Sequence, residues 1–222
     1  MTQKLQIPEE IDLTAFISKE AHDLKSPFNR ALGFLKLVLK GMDGPISEQA
    51  REDLTVVYLN AQYAFTMIGA LVDLSRLTRG ERKPALAPLP TDYLIQQAVT
   101  EWNRKYHKEN SVEITFTAPE IQVNADEILF RQGLLYWMLY VNEFAQGESK
   151  LEIVVEHRSP EVIFTLTSRG EKQTPPPECD LTLYGFAARK ILELHHGNLL
   201  RLEETDNGAI AQFSLSAASP PS

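Results

Sequence analysis

The residues best suited to chemistry in this chain lie in one stretch, FISKEAHDLKSPFNRALGFLKLVL, residues 16–39. His22 is followed by Ser26, Asn29 and Gly33 at spacings of four, seven and eleven, which on a helix share one face with it. That face is polar and small, so a docked protein can approach the histidine closely. Asp23 can hold one ring nitrogen protonated, leaving the other with a neutral, nucleophilic lone pair. Attack on a phosphoryl group requires just such a lone pair. Lys25 can offset phosphoryl charge, and Ser26, one turn on, can orient a water. Pro27 has no N–H for the carbonyl of Asp23 and its ring crowds that carbonyl, which predicts a kink or bulge beside His22.

Other reactive residue types carry less. His195 and His196 are adjacent, and neighbours on a helix diverge by about 100°, so they do not converge on a metal. They read as the C-terminus of a helix before Gly197. His107 and His157 read as surface residues. Cys179 is the single cysteine, so no disulfide can form within the chain, and nothing near it in sequence supplies a base or a second ligand. No metal and no cofactor is expected.

Elements of defined period must position these side chains. Ile17, Ala21, Leu24, Phe28, Ala31, Leu35 and Val38 alternate spacings of four and three, a heptad seam. That helix should end at GMDGP, residues 41–45, where Gly41 and Gly44 allow left-handed backbone and Pro45 resists continuation. A second helix opens with Ser47 as N-cap and turns Leu54, Tyr58, Ala61, Phe65, Ile68, Val72 and Ser75 inward. Two long antiparallel helices make a hairpin. One hairpin cannot bury both flanks of its apolar face, whereas two can as a four-helix bundle, so a homodimer is expected.

Residues 80–90, with charge, glycine and three prolines, read as a linker. Beyond them, TDYLIQQAVTEWNRKYHKEN reads as a helix with Leu94, Ala98 and Trp102 on one face. VEITFT and IQVNAD read as strands, DEILFRQGLLYWMLYVNEFA as an apolar helix, and LEIVVEHR with VIFTLTS as paired strands. RGEKQTPPPECD is a polar loop, LTLYGFAARKILELHHGN a helix, and LLRLEE with AIAQFSLS a hairpin about the turn TDNG. The second domain is therefore α+β, with helices against one face of a mixed sheet. Boundaries fall at 1–79 for the hairpin, 80–90 for the linker, 91–217 for the α+β domain and 218–222 for a disordered tail.

Length and composition are consistent with two small domains: 222 residues, 43% hydrophobic, net charge −8. The acidic balance, with no Lys/Arg cluster, argues against nucleic acid as partner. The N-terminus has no apolar signal core and the longest apolar runs read as too short to span a bilayer, so the chain is expected in the cytoplasm with no membrane partner.

HDLKSPFN resembles the phospho-acceptor box of sensor histidine kinases, in which histidine is followed by an acid, a basic residue, a small polar residue and proline. The resemblance includes the heptads, the hairpin length and the following domain, and covers roughly residues 10–217. It implies a dimerisation and histidine-phosphotransfer hairpin followed by an ATPase-like α/β sandwich. His22 would be the phospho-acceptor, assisted by Asp23, Lys25 and Ser26. In the second domain the likeness persists but the nucleotide residues do not. Aligned on Asp126, Gln132 and Phe144, the two magnesium-ATP asparagines of the family are Tyr136 and Tyr140; Asn142 falls on another helix face. Thr167 stands where the adenine-reading aspartate of an Asp-x-Gly-x-Gly loop is expected, and only Gly170 remains of its glycines. Of the later glycine-rich turn only Gly185 survives, out of register, between Tyr184 and Phe186. Phosphate cradling needs backbone N–H groups exposed by small residues. The loop between these elements is also short for an ATP lid. Tyr136, Trp137, Tyr140 and Phe144 would fill the vacated pocket or form a partner-binding surface.

Three functions are open at this point. The leading one is a dimeric phosphorelay protein passing a phosphoryl group between His22 and receiver-domain aspartates, similar to stand-alone phosphotransferases built on degenerate kinase cores. The second is a non-catalytic pseudokinase scaffold that binds a sensor histidine kinase or a response regulator. The third is an active ATP-dependent kinase with unusual nucleotide contacts.

Overall fold

A computed structural model describes residues 12–218 except 43, 107–111, 119, 173–181 and 206. The chain divides into two compact units, Met1–Glu81 and Arg82–Ser222.

The first unit is a helical hairpin of α1 (Leu13–Leu39) and α2 (Glu48–Thr78). Asp12 caps α1 by accepting from the amide of Ala15 at 3.0 Å, and Ser47 caps α2 by accepting from Ala50 at 3.2 Å. At the turn, Gly41 takes φ +71°, and the amides of Gly41 and Met42 bond back to Val38 and Leu37, a Schellman closure that only glycine adopts without cost. Arg51 donates to the carbonyl of Leu39 at 2.7 Å, and at the far end Ser75 donates to Thr14 at 2.7 Å, so both ends of the hairpin are pinned. Between them Ala21, Ile68 and Val72 are buried with Phe28 packed against them.

Two expectations are corrected here. Of the kink or bulge expected at Pro27, the bulge is absent: α1 runs through Pro27 as continuous α-helix. And α2, which carries no charged residue from Leu54 to Val72, is by length and composition apolar enough to cross a membrane, unlike the short runs expected. Part of this apolar surface faces α1, with Ile68 and Val72 buried against Ala21 and Phe28.

The second unit holds β1 (Ala87–Pro90), α3 (Thr91–Tyr106), β2 (Val112–Phe116), β3 (Gln122–Ala125), α4 (Glu127–Asn142), β4 (Ala145–Arg158), β5 (Glu161–Lys172), α5 (Leu183–Leu194), β6 (Asn198–Thr205) and β7 (Gly208–Ser216). Five strands form a mixed sheet in the order β2-β4-β5-β7-β6, with β2 parallel to β4 and the rest antiparallel; β1 and β3 pair separately. The stretch 80–90 is therefore not all linker: residues 87–90 are strand, because their proline-limited extended backbone pairs with β3.

The core lies between α4 and the sheet. α4 packs against α3 and α5 and rests on β4, β5 and β7. Phe130 of α4, Phe164 of β5, Phe213 of β7 and Trp137 of α4 make a continuous run of ring contacts 5.2–5.8 Å between centroids. Alternation sends Leu151, Ile153 and Val155 of β4, Phe164, Leu166 and Ser168 of β5, and Ala209, Ala211 and Phe213 of β7 to this helix-covered face. Each large side chain so buried contributes about 1.5–3 kcal/mol relative to exposure.

Candidate functional site

His22 projects from α1 into solvent, with 72% of its side chain exposed. Its Nδ1 lies 3.5 Å from Oδ1 of Asp23, a long contact between two exposed groups. The tautomer that makes this bond carries its proton on Nδ1 and leaves the Nε2 lone pair outward. Ser26, Asn29 and Gly33 are exposed on the same stripe, and Lys25 is half-buried beside it. Ser26 and Asn29 have no hydrogen-bond partner among the described residues, so both remain available to a docked group. The hairpin thus brings together the four residues picked from sequence: His22, Asp23, Lys25 and Ser26.

In the second unit the positions compared with a nucleotide site are filled. Tyr136 is buried and its ring stacks on Tyr184 from the first turn of α5, 6.0 Å between centroids and 27° between planes. Gln132 donates to the Tyr136 hydroxyl at 2.9 Å. Tyr140 is buried edge-on against Trp137 and Phe144. All four aromatics are interior, so they are packing and not a partner surface. Asn142 spends its amide oxygen on Ser149, 2.9 Å away. The two surviving glycines have committed amides: Gly170 donates to the Asn207 carbonyl at 2.7 Å, and Gly185 to the hydroxyl of Thr182, the N-cap of α5, at 3.0 Å. Phe186 is half-buried under Lys190. Of the stretch expected as a polar loop and short lid, residues 169–172 are instead the end of β5, and residues 173–181, with Cys179, lie outside the described residues, as does His107; His157 is exposed.

Thr167 needs correction. It faces away from the helices, whereas Ser168 is fully buried toward them, donating to the Val141 carbonyl at 2.5 Å and accepting from Ala209 at 3.0 Å. Strand side chains alternate, so a one-residue offset reverses the face. Counting Asp-x-Gly back from Gly170 also lands on Ser168, and this spacing would have found it.

Sequence reasoning also missed the junction of Asp126 and His195. Asp126 caps α4: Oδ1 accepts from Leu129 and Oδ2 from Ala85, each at 2.9 Å. Its own amide donates to Nε2 of buried His195 at 3.1 Å, while His195 Nδ1 sits 2.7 Å from the carbonyl of Ile191. Both ring nitrogens are thus committed to backbone. His196 takes φ +55° and is exposed, so the pair does not converge. Partial burial pushes the Asp126 carboxyl up, but the amides of Leu129, Ala85 and Ile128 together with His195 outweigh it and hold the group below its ordinary value. A depressed carboxyl stabilises the fold fully above its unfolded value, near pH 3.9, and that contribution is lost as pH falls through the folded value. In acid unfolding of the second unit, Asp126→Asn should therefore flatten the stability loss below about pH 4.

No family model matches the chain. The sensor-like histidine kinase SenX3 of Mycobacterium tuberculosis is 24% identical over 157 residues, covering 70% of this chain and 37% of the relative; SenX3 of Mycolicibacterium smegmatis is 26% identical over 157 residues, covering 70% and 40%. The chain thus spans well under half the length of these relatives. Among solved structures, full-length ShkA in complex with AMPPNP superposes with TM-score 0.62 at 17% identity, over 94% of this chain and 47% of ShkA. The fold is that of a sensor histidine kinase core. The Acinetobacter baumannii histidine kinase AdeS repeats the kinase-core match over 89% of this chain and 98% of its own, with TM-score 0.59 at 18% identity. The hairpin corresponds to the dimerisation part of that core and the second unit to its ATPase-like α/β part.

Proposed function

We propose that this chain is a phosphorelay phosphotransferase without its own ATP-dependent autophosphorylation. Nε2 of His22 attacks the phosphorus of a receiver-domain aspartyl phosphate. The N–P bond forms, the P–O bond breaks, and the aspartate leaves as carboxylate. A second receiver aspartate then takes the group by the reverse step. Asp23 holds the Nδ1 proton, Lys25 offsets phosphoryl charge and Ser26 orients polar groups at the transfer point. One contrast supports this reading. The acceptor stripe is exposed and uncommitted, while Tyr136, Tyr140 and Tyr184 fill the other unit's core and Gly170 and Gly185 have spent their amides. ShkA, with the same fold, holds a nucleotide analogue.

The working form is a homodimer. Ile17 and Leu24, both on the predicted inward seam, stay 37% and 49% exposed in a single chain, and Met67 and Leu71 of α2 are comparably bare. A second hairpin would cover them as a four-helix bundle. Sedimentation equilibrium should therefore return twice the chain mass at micromolar concentration; a monomer would remove the dimer from the proposal. The partners are response-regulator receivers and, among upstream proteins, a sensor histidine kinase, in the cytoplasm.

The test is incubation of purified protein with a panel of labelled phospho-receivers and, separately, with labelled ATP and magnesium. Acid-labile label from a receiver and none from ATP is the expected outcome. Label from ATP would mean an active kinase, and no label from any source would leave the pseudokinase scaffold.

A further inference from the structure

The residues that follow α2 are bonded at several points. α2 ends in a Schellman closure: Gly80 has φ +66° and donates to Leu77, and Glu81 donates to Arg76. Glu81 also pairs with Arg79 at 2.9 Å, so it belongs to the helix end. The next residue already belongs to the second unit. Arg82 donates through Nη1 to the side-chain oxygen of Gln132, 3.1 Å away, and Gln132 in turn donates to Tyr136. Ala85 donates its amide to Oδ2 of Asp126, whose other oxygen caps α4. Ala87 then starts β1.

From this we infer that residues 82–86 are a fixed strap of the second unit, clamped across the start of α4 by Asp126 and Gln132. The same side chains tie the strap to the aromatic filling, since Gln132 holds Arg82 with one end and Tyr136 with the other.

The experiment reads the strap and not phosphotransfer, so the two ideas fail separately. Hydrogen exchange is followed at the Ala85 amide of the full chain, with β5 and β7 amides as the internal record of an intact fold. In the native protein Ala85 should exchange at least about a hundredfold slower than an unstructured amide, and Asp126→Ala should remove most of that protection. Because loss of the cap can loosen α4 itself, Gln132→Ala is the second variant. It frees Arg82 and leaves the cap intact. Trypsin cleavage after Arg82 should then rise about tenfold with β5 and β7 still protected. Free-rate exchange at Ala85 in the native protein, or unchanged cleavage in Gln132→Ala, would overturn the strap.

Discussion

His22→Gln protein should take no label from any phospho-receiver that labels the native chain, a loss of about a thousandfold or more, since removing a nucleophile leaves only binding and electrostatic effects. Glutamine keeps a polar side chain of similar bulk on an exposed helix position, so folding and receiver binding should survive. The loss is then chemical. Asp23→Asn should be milder. The His22–Asp23 contact is 3.5 Å long and lies in solvent, so the carboxylate biases the tautomer only weakly. A fall of about tenfold in the rate of uptake, with the same final labelling, is expected for a group that assists but does not bond phosphorus. A pulse of labelled receiver followed by gel separation under neutral conditions measures both. Native-level labelling of His22→Gln would place the acceptor elsewhere and end the assignment.

The second large effect is on stability. Gly208→Ala should cost about 3 kcal/mol or more, a severe loss for a domain whose total stability is of order 5–15 kcal/mol. Gly208 is the first residue of β7, opposite Thr205, and its φ is not the left-handed value a turn glycine would show. It is glycine because the backbone of β5 passes over it. A Cβ there would fall on the carbonyl oxygen of Ser168 and 2.7 Å from its carbonyl carbon. Relief by shifting β5 would break the bonds Ser168 makes to Val141 and Ala209, leaving buried polar groups unpaired. Asn207→Ala, one residue earlier and exposed, is the control and should cost under about 1 kcal/mol. Urea unfolding reports both. A Gly208→Ala midpoint equal to that of the native protein would show that the strands separate easily there.

The hairpin was almost fully legible in the sequence. Its period is local, its cap Ser47 and its stop Gly41 act within a few residues, and the acceptor stripe from His22 to Gly33 follows from helix geometry alone. Most strands of the second unit were legible for the same reason, but β1 read as linker and the first residues of β4 were missed. The aspartate-equivalent position was not, because Thr167 and Ser168 differ by one residue and a strand turns that difference into opposite faces. Nor was the junction: residues 80–90 have the composition of a tether, and only the partners Gln132, Asp126 and β3, all distant in sequence, make them part of a folded unit.

The glycines show the same division. Gly41 could be assigned from its neighbours, since a left-handed helix end is a property of consecutive residues. Gly208 looked like part of the turn TDNG, yet its identity is set by Ser168 on another strand. Periodicity, caps and the acceptor chemistry are short-range and lie in the order of residues. Which amides are spent, which aromatics close the interior and which glycine cannot be replaced depend on atoms brought together from far apart in the chain, and close packing decides them only once the strands and helices have met.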